Sequence, residues 1–139
     1  MDREARFEAI ACADPERLVV IADEVLETLD VEVTRGPTVG LLMVRVEEPL
    51  ERLPFNFAEV TVSEAEVAVG AHRGYAMVMG KSLERALAGA VVDAALEAGH
   101  PLSPRIEAFL AEAQDAADQA WTDRWSVIAP TRVRFEDVT

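Results

Sequence analysis

The triplet Gly80-Lys81-Ser82 comes nearest to a phosphate-binding loop, because it lies between a predicted strand and a predicted helix. A P-loop has another glycine five residues before the glycine of its closing Gly-Lys-Ser/Thr. That position is Tyr75, and the residues after it are apolar and predict a strand, which cannot wrap a phosphate. We therefore interpret Gly80 as a turn residue and Ser82 as the N-cap of the next helix.

The histidines His72 and His100 are the residues most suited to bind a metal ion. Each lies beside a glycine, and neither has a cysteine, histidine or carboxylate at the spacing that a helix or strand would bring around zinc. We expect both to be turn residues, and no metal or cofactor is predicted. Cys12 is the single cysteine and is expected to fill a core position.

Asp93 is the acidic residue that lies nearest to the apolar stripe of a predicted helix. It can bond a neighbouring backbone or a partner chain, or face water at the edge of the stripe. Acid/base catalysis needs two carboxylates in one cleft with unlike environments, and no such pair stands out. One alternative stays open, a small stand-alone acidic ligand-binding or enzymatic α+β domain whose pocket is lined by His72, Arg73, Tyr75 and Asp93.

The composition restricts the possible partners. The chain has 139 residues, half of them hydrophobic, which is enough for one folded domain. Its 26 acidic and 13 basic residues give a formal net charge of -13, which repels phosphate backbones and excludes nucleic acid as an expected partner. No apolar run approaches the roughly 20 residues that span a bilayer, and the acidic start is unlike a signal peptide. We expect a cytoplasmic protein with no membrane segment.

Hydrophobic periodicity predicts an α+β fold in a single domain over residues 1–139. It comprises an N-terminal helical segment, a small and mostly antiparallel sheet, a helix after the last strand, and a long C-terminal helix from Ser103-Pro104. The tail from about 127 to 139 is predicted to be extended and to dock on a partner.

Two strands carry unusual patterns. The run Leu41-Leu42-Met43-Val44, which follows the break at Gly36-Pro37, is apolar on both faces, so its strand is expected to be central in the sheet or covered by a partner. In the next strand the parity of the apolar residues changes between Val62 and Ala65. This change predicts a bulge or break near Ser63-Glu64.

Aromatic and methionine side chains form a further group. Tyr75 and Met77, with Trp121 and Trp125, could line a ligand pocket, but their strand and helix spacing is more typical of core or interface. The two tryptophans lie one helical turn apart and precede the predicted tail. This arrangement indicates a segment that docks on another protein.

Several segments follow one another in a characteristic order and spacing. They are the pair Gly40-Leu41, the segment Phe55-Asn56-Phe57-Ala58-Glu59-Val60-Thr61-Val62, the run from Gly74 to Gly80, the helix residues Ala86, Ala90, Asp93 and Ala94, and the tail Thr131-Arg132-Val133-Arg134-Phe135. Together they resemble the PhnG subunit of the bacterial carbon–phosphorus lyase system. The resemblance covers most of the chain and is clearest over residues 35–139. The turn Lys81-Ser82-Leu83 and Leu87 depart from the more polar residues of that family.

The resemblance implies a subunit of a core complex with PhnH-, PhnI- and PhnJ-like chains. In that complex a phosphonate displaces adenine from ATP to give a ribose 1-phosphonate 5-triphosphate, and a radical enzyme then cleaves the carbon–phosphorus bond. The glycosyl transfer is associated with the PhnI partner, so ATP and phosphonate are expected to be bound mainly by partner chains. The small subunit has no catalytic residues to carry over.

The informative residues are therefore expected at contacts with partner chains. The candidates are Phe55, Asn56, Phe57, Glu59, Tyr75, Met77, Asp93, Trp121, Trp125, Arg132, Val133 and Phe135. An oligomeric α+β domain of an unrelated pathway is the remaining alternative.

Overall fold

The computed structural model describes residues 1–133. Within this range the elements are α1 (Arg3–Cys12), α2 (Pro15–Leu26), β1 (Glu32–Glu47), β2 (Pro54–Val69), β3 (His72–Met79), α3 (Leu83–Glu97), α4 (Ser103–Ile128) and a 3-10 turn (Ala129–Thr131). The strands form one antiparallel sheet in the order β1-β2-β3. The predicted α+β fold is confirmed.

The first two helices begin where the sequence places aspartates. The Asp2 carboxylate accepts a hydrogen bond from the Ala5 N–H at 2.8 Å, and the Asp14 carboxylate accepts one from the Arg17 N–H at 3.0 Å. Such side chains satisfy N–H groups that the first turn of a helix leaves unpaired. Pro15 follows Asp14 at the first position of α2, where a missing N–H costs nothing.

The core lies on one face of the sheet, with α3 at its centre. Ala65 and Val67 of β2 and Ala76 and Val78 of β3 are buried, and α3 packs against both strands. The other side of α3 packs against α2, while α1 contacts β3, α3 and α4. This central position explains why α3 is built from small and β-branched residues, which are buried almost all the way round: Ala86, Ala88, Gly89, Ala90, Val91, Val92, Ala94 and Ala95.

The sheet differs from the prediction in its strand order. The central strand is β2, whereas β1, which carries Leu41-Leu42-Met43-Val44, lies at an edge. A central position in the sheet therefore does not explain why this run is apolar. Gly36-Pro37 also does not separate two elements, because it lies inside β1.

The irregularities of the sheet differ from the prediction in the strand that carries them. β2 pairs with β3 without interruption from Val62 to Val69, so β2 itself has no break near Ser63-Glu64, although its pairing with β1 is irregular between Glu64 and Glu66. The extra residues are in β1, between Val33 and Thr38, and in β2, where Phe57 has no partner between Asn56 and Ala58. The apolar parity changes because the two ends of β2 bury opposite faces, and a regular strand does this without a bulge.

Helix α4 is only partly integrated into the fold. Its buried residues are Ile106, Phe109 and Leu110, and every residue from Asp118 to Ile128 is exposed. Trp121 and Trp125, for which the sequence left core and interface open, are therefore not part of the core. The chain is helical through Ile128 and forms a 3-10 turn to Thr131, so the first part of the predicted extended tail is helical. Cys12 is exposed, which corrects the expectation that it fills the core.

Replacing Gly74 tests how closely β3 approaches α3. A Cβ atom at Gly74 would lie 2.5 Å from the Ala94 N and 2.6 Å from the Ala94 Cβ, and would also overlap the Ala90 carbonyl oxygen. Because these are helix atoms that cannot rotate away, we expect Gly74→Ala to lower the free energy of unfolding by about 1–3 kcal/mol or more. Urea unfolding followed by circular dichroism measures the change.

Gly40→Ala is the matched control, since a Cβ atom there meets nothing within 4 Å. We expect it to change the free energy of unfolding by less than about 0.5 kcal/mol. Equal stability of the two variants would contradict the close approach of β3 to α3.

Candidate partner interface

The strands β1 and β2 continue beyond the end of β3 as a two-stranded ribbon. β3 pairs with β2 only from Val62 onward, whereas β1 and β2 stay paired from Leu41 opposite Thr61 to Glu47 opposite Pro54. We call residues 41–61 the arm. A ribbon of two strands has marginal stability in water unless one of its faces is covered.

One face of the arm consists of apolar side chains. Residues opposite each other in an antiparallel pair share a face, and the pairs Leu42 with Val60, Val44 with Ala58, and Val46 with Phe55 lie on the face turned away from α3. Met79 extends this surface onto the three-stranded part of the sheet, where it lies opposite the buried Val62. Leu42 and Phe55 each keep 45% of their surface exposed, and Met79 keeps 71%. Contiguous exposed apolar surface of this kind marks interaction sites.

A bulge places a second aromatic ring on the arm. Phe57, the unpaired residue of β2, is 68% exposed, and its ring lies edge-to-face with Phe55 at a centroid distance of 6.4 Å. Asn56 and Glu59 are exposed beside them. The structure thus gathers four of the predicted interface residues on one projecting element.

The end of α4 forms a second exposed apolar surface, separate in sequence from the arm. The indole rings of Trp121 and Trp125 stack at 6.4 Å with an interplanar angle of 21°, and they remain 60% and 46% exposed. Arg132 and Val133 are also exposed, while Phe135 lies outside the described residues. Whether any of these residues touches a partner stays a prediction.

Asp93 is fully buried at the junction of three elements. Its carboxylate accepts hydrogen bonds from Arg6 Nε of α1 at 2.6 Å, from the Tyr75 backbone N–H of β3 at 2.9 Å, and from Arg3 Nη2 at 3.5 Å. Glu97 completes the cluster, because its carboxylate pairs with Nη2 of Arg6. The predicted bond to a neighbouring backbone is confirmed, whereas a position exposed to water is wrong.

The burial of Asp93 also decides its role. With every oxygen engaged and no exposed surface, its carboxylate has no face left for a partner chain or a substrate. The Tyr75 N–H and the Arg73 carbonyl both point away from β2, at the outer edge of β3. Asp93 accepts a hydrogen bond from the Tyr75 N–H, and Arg3 donates one to the Arg73 carbonyl, so the two side chains together cover this edge. Asp93 is therefore a structural residue, which corrects its place among the interface candidates.

The Tyr75 side chain lies on the other face of the sheet and is bonded to one acidic residue. Its hydroxyl donates to Glu64 at 2.7 Å, and Glu64 also pairs with Arg35 at 3.2 Å. Burial, followed by the hydrogen bond to Glu64, raises the pKa of Tyr75 to about 12. Arg73 pairs with Glu66 on this same face. Met77 is half-buried next to Glu64, at the border between these polar residues and the apolar surface.

The alternative pocket of His72, Arg73, Tyr75 and Asp93 is not assembled. The polar tips of Arg73 and Tyr75 bind glutamates on the exposed sheet face. The Asp93 carboxylate is enclosed between α1, α3 and β3, so it does not face the same space. His72 is exposed at the start of β3.

The turn at Gly80-Lys81-Ser82 is closed by a serine that sequence reasoning missed. The buried Ser63 hydroxyl donates to the Gly80 carbonyl at 2.7 Å and accepts from the Ser82 N–H at 2.8 Å. The Gly80 N–H donates to the Thr61 carbonyl at 2.7 Å. These N–H groups are therefore occupied and cannot cradle a phosphate. Ser82 holds the N-cap position, but its side chain makes no capping bond.

His100 is a buried structural residue. Its Nε2 lies 2.8 Å from the Thr28 hydroxyl, and its Nδ1 accepts from the Leu102 N–H at 3.1 Å, so it joins the end of α2 to the loop before α4. Among residues 1–133 no group of three His, Cys, Asp or Glu side chains is arranged to hold a metal ion. Within the same range, none of the helices combines the length and apolarity needed to cross a bilayer.

The sequence matches the family described as "Phosphonate metabolism protein PhnG" over residues 1–139. The chain belongs to the PhnG family. A comparison with curated proteins finds no match. Membership in the PhnG family indicates a role in phosphonate metabolism and implies work within a multi-subunit complex.

The PhnG-like segments of the sequence have distinct places in the fold. Phe55 to Val62 forms the β2 half of the arm, and Gly74 to Gly80 forms β3 and its following turn. Ala90 and Ala94 form the surface of α3 that Gly74 touches, and Asp93 binds the edge of β3 between them. The resemblance thus combines residues of the core with residues of the exposed arm.

Replacing Asp93 tests the buried ion cluster. Asp93→Ala leaves Arg6 without its main partner and the Tyr75 N–H unpaired, so we expect a loss of about 3–5 kcal/mol in the free energy of unfolding. Amide hydrogen exchange should increase most in α1, which the cluster holds against β3. Glu112→Ala, which removes the exposed pair with Arg17, serves as control and should have little effect. Equal effects would exclude a structural role for Asp93.

The raised pKa of Tyr75 predicts that the stability of the fold depends on pH. Because the folded chain holds the phenol protonated above its ordinary pKa of 10.0, the stabilisation is complete below that pH and is lost as the pH rises toward about 12. Tyr75 is the single tyrosine, so phenolate absorbance reports on it alone.

In Glu64→Gln the titration midpoint should fall but stay above the ordinary value, since burial remains the larger cause. Glu84→Gln, on the exposed first turn of α3, should leave the midpoint unchanged. A midpoint near the ordinary value in the folded, unaltered chain would refute the bond to Glu64.

Proposed function

We propose that this chain is an accessory, structural subunit of the carbon–phosphorus lyase core complex. It supports the step in which a phosphonate oxygen bonds to the ribose C1′ of ATP while the glycosidic bond breaks and adenine leaves. For methylphosphonate this is the ribose 1-methylphosphonate 5-triphosphate synthase reaction. The observation that carries the proposal is the apolar arm of a PhnG family member.

The arm supports a role in an assembly because several of its large apolar side chains remain exposed. Leu41, Leu42 and Met43 are 67%, 45% and 47% exposed, and Leu50 at the tip is 83% exposed. Burying such side chains contributes about 25 cal/mol per Å² of apolar surface removed from water. A partner that covers the arm would therefore stabilise both the complex and the ribbon.

The charge of the chain supports the view that its partners bind the anionic substrates. A triphosphate and a phosphonate require clustered cations. Six of the eleven arginines among residues 1–133 are instead paired with carboxylates: Arg3, Arg6, Arg17, Arg35, Arg73 and Arg105. Lys81 is the single lysine. We therefore assign binding of ATP and phosphonate to PhnI-, PhnH- and PhnJ-like chains, and we propose that the complex acts in the cytoplasm.

Co-expression with a tagged PhnI-like chain, together with PhnH- and PhnJ-like chains, tests the proposal. We expect this chain to co-purify, and adenine release from ATP in the presence of methylphosphonate to require it. Leu42→Asp, which places a charge on the apolar face of the arm, should reduce both. Val20→Asp is the matched control, because Val20 is 54% exposed on α2, far from the arm in sequence.

Two results would contradict the proposal. One is a chain that stays monomeric and does not bind the PhnI-like partner. The other is micromolar binding of ATP or methylphosphonate to the isolated chain in calorimetry, which would favour the stand-alone ligand-binding domain.

A further inference from the structure

The hydrogen bonds of β3 fix which way the backbone groups of β2 point. Opposed residues of an antiparallel pair either exchange both backbone hydrogen bonds or both point away from each other. The Tyr75 N–H binds Asp93 and so points away from β2, which means that the opposed Glu66 points toward β1. The Thr61 carbonyl accepts from Gly80 on the β3 side. Even-numbered residues of β2 therefore face β1, and odd-numbered residues face β3.

The same alternation continues across β1. Gly40, Leu42 and Val44 lie opposite Val62, Val60 and Ala58, so their backbone groups are used inside the sheet. The N–H and C=O groups of Val39, Leu41 and Met43 consequently point to the outer edge of β1. No group among residues 1–133 forms a hydrogen bond with them.

This outer edge lacks the protection that free edges usually have. Proteins shield edge strands with charged residues, proline or bulges, since an open edge pairs readily with another strand. The segment Val39 to Val44 contains none of these, because Pro37 and Arg45 lie outside it and the nearest register shifts flank it. The opposite edge of the sheet is covered by Asp93 and Arg3. The sheet thus has one closed and one open edge.

We propose that the outer edge of β1 from Val39 to Val44 accepts a strand of a different protein. That strand is apolar and is flanked by basic residues. The inference rests on the proposed function and identifies how the partner binds. The added strand would pair with the backbone of Val39, Leu41 and Met43, and its side chains would lie beside Leu42 and Val44 on one face and Leu41 and Met43 on the other.

Charge favours a different protein over a second copy of this chain. Two copies would each bring a formal net charge of -13, which opposes their association. Arg45 follows the segment directly, but two glutamates outnumber it: Glu47 lies at the end of β1, and Glu59 lies opposite Met43. None of the three forms an ion pair among residues 1–133. Basic residues beside the incoming strand would complement both glutamates.

Met43→Pro tests the edge directly. Proline removes the outward N–H of Met43 but no hydrogen bond to β2, and edge strands tolerate proline where the N–H faces solvent. Met43→Thr is the matched control, because it shortens the same side chain and keeps the N–H. Leu42→Pro removes a hydrogen bond to Val60 and should lower the thermal midpoint of the isolated chain, whereas Met43→Pro should not.

The readout is recovery of the complex after co-expression with the tagged PhnI-, PhnH- and PhnJ-like chains. We expect Met43→Pro to weaken assembly about tenfold or more, and Met43→Thr to stay within about twofold of the unaltered chain. Recovery of the unaltered complex should also fall as the salt concentration rises, because the flanking charges are screened.

Each contrary result has a distinct meaning. If the unaltered chain fails to assemble, the proposed function falls and this inference falls with it. If the unaltered chain and Met43→Pro assemble equally well, only the inference is overturned. If light scattering finds that the isolated chain is a dimer that Met43→Pro dissociates, the occupant is a second copy and the proposal of a different protein is wrong.

Discussion

The buried carboxylate of Asp93 is the interaction on which the arrangement of this fold depends. It joins α1 through Arg6, β3 through the Tyr75 N–H, and α3, on which it lies. A charge so deeply buried is stabilising only while all its partners are in place. The position of α1, and with it the closed edge of the sheet, therefore follows from a side chain in the middle of another helix.

Close packing between α3 and β3 places Asp93 within reach of that edge. Gly74 and Gly89 allow the strand and helix backbones to approach, with Ala76, Ala90 and Ala94 filling the contact. Larger residues would move α3 outward, and the carboxylate would no longer reach the Tyr75 N–H. The small residues of α3 are thus required for its buried acid, Asp93, to reach β3.

Local signals in the sequence predicted much of this fold, because they act over a few residues. The periodicity of α3 and the start of α4 at Ser103-Pro104 depend on residues only a few positions apart. Strand order was not accessible in this way. An apolar run such as Leu41-Leu42-Met43-Val44 looks alike in a central strand and in an uncovered edge, and only the pairing of distant segments distinguishes them.

The same limit applied to the candidate interface. Phe55, Phe57, Trp121 and Trp125 were identified by type, and the structure leaves them exposed. Asp93 was misassigned because the basic residues that enclose it lie about 90 positions earlier in the chain. Ser63 was missed because its partners, the Gly80 carbonyl and the Ser82 N–H, lie 17 and 19 residues further along the chain.

The open edge of β1 has a consequence for how the protein is best produced. An apolar strand without charged or proline protection is a site of aggregation as well as of recognition, and it is available from the moment the hairpin forms. Molecules made in excess of whatever covers that edge would collect as insoluble material or be degraded. The cell is therefore expected to hold the abundance of this chain close to that of its companions, and an expression host that makes it alone should yield less of it in soluble form.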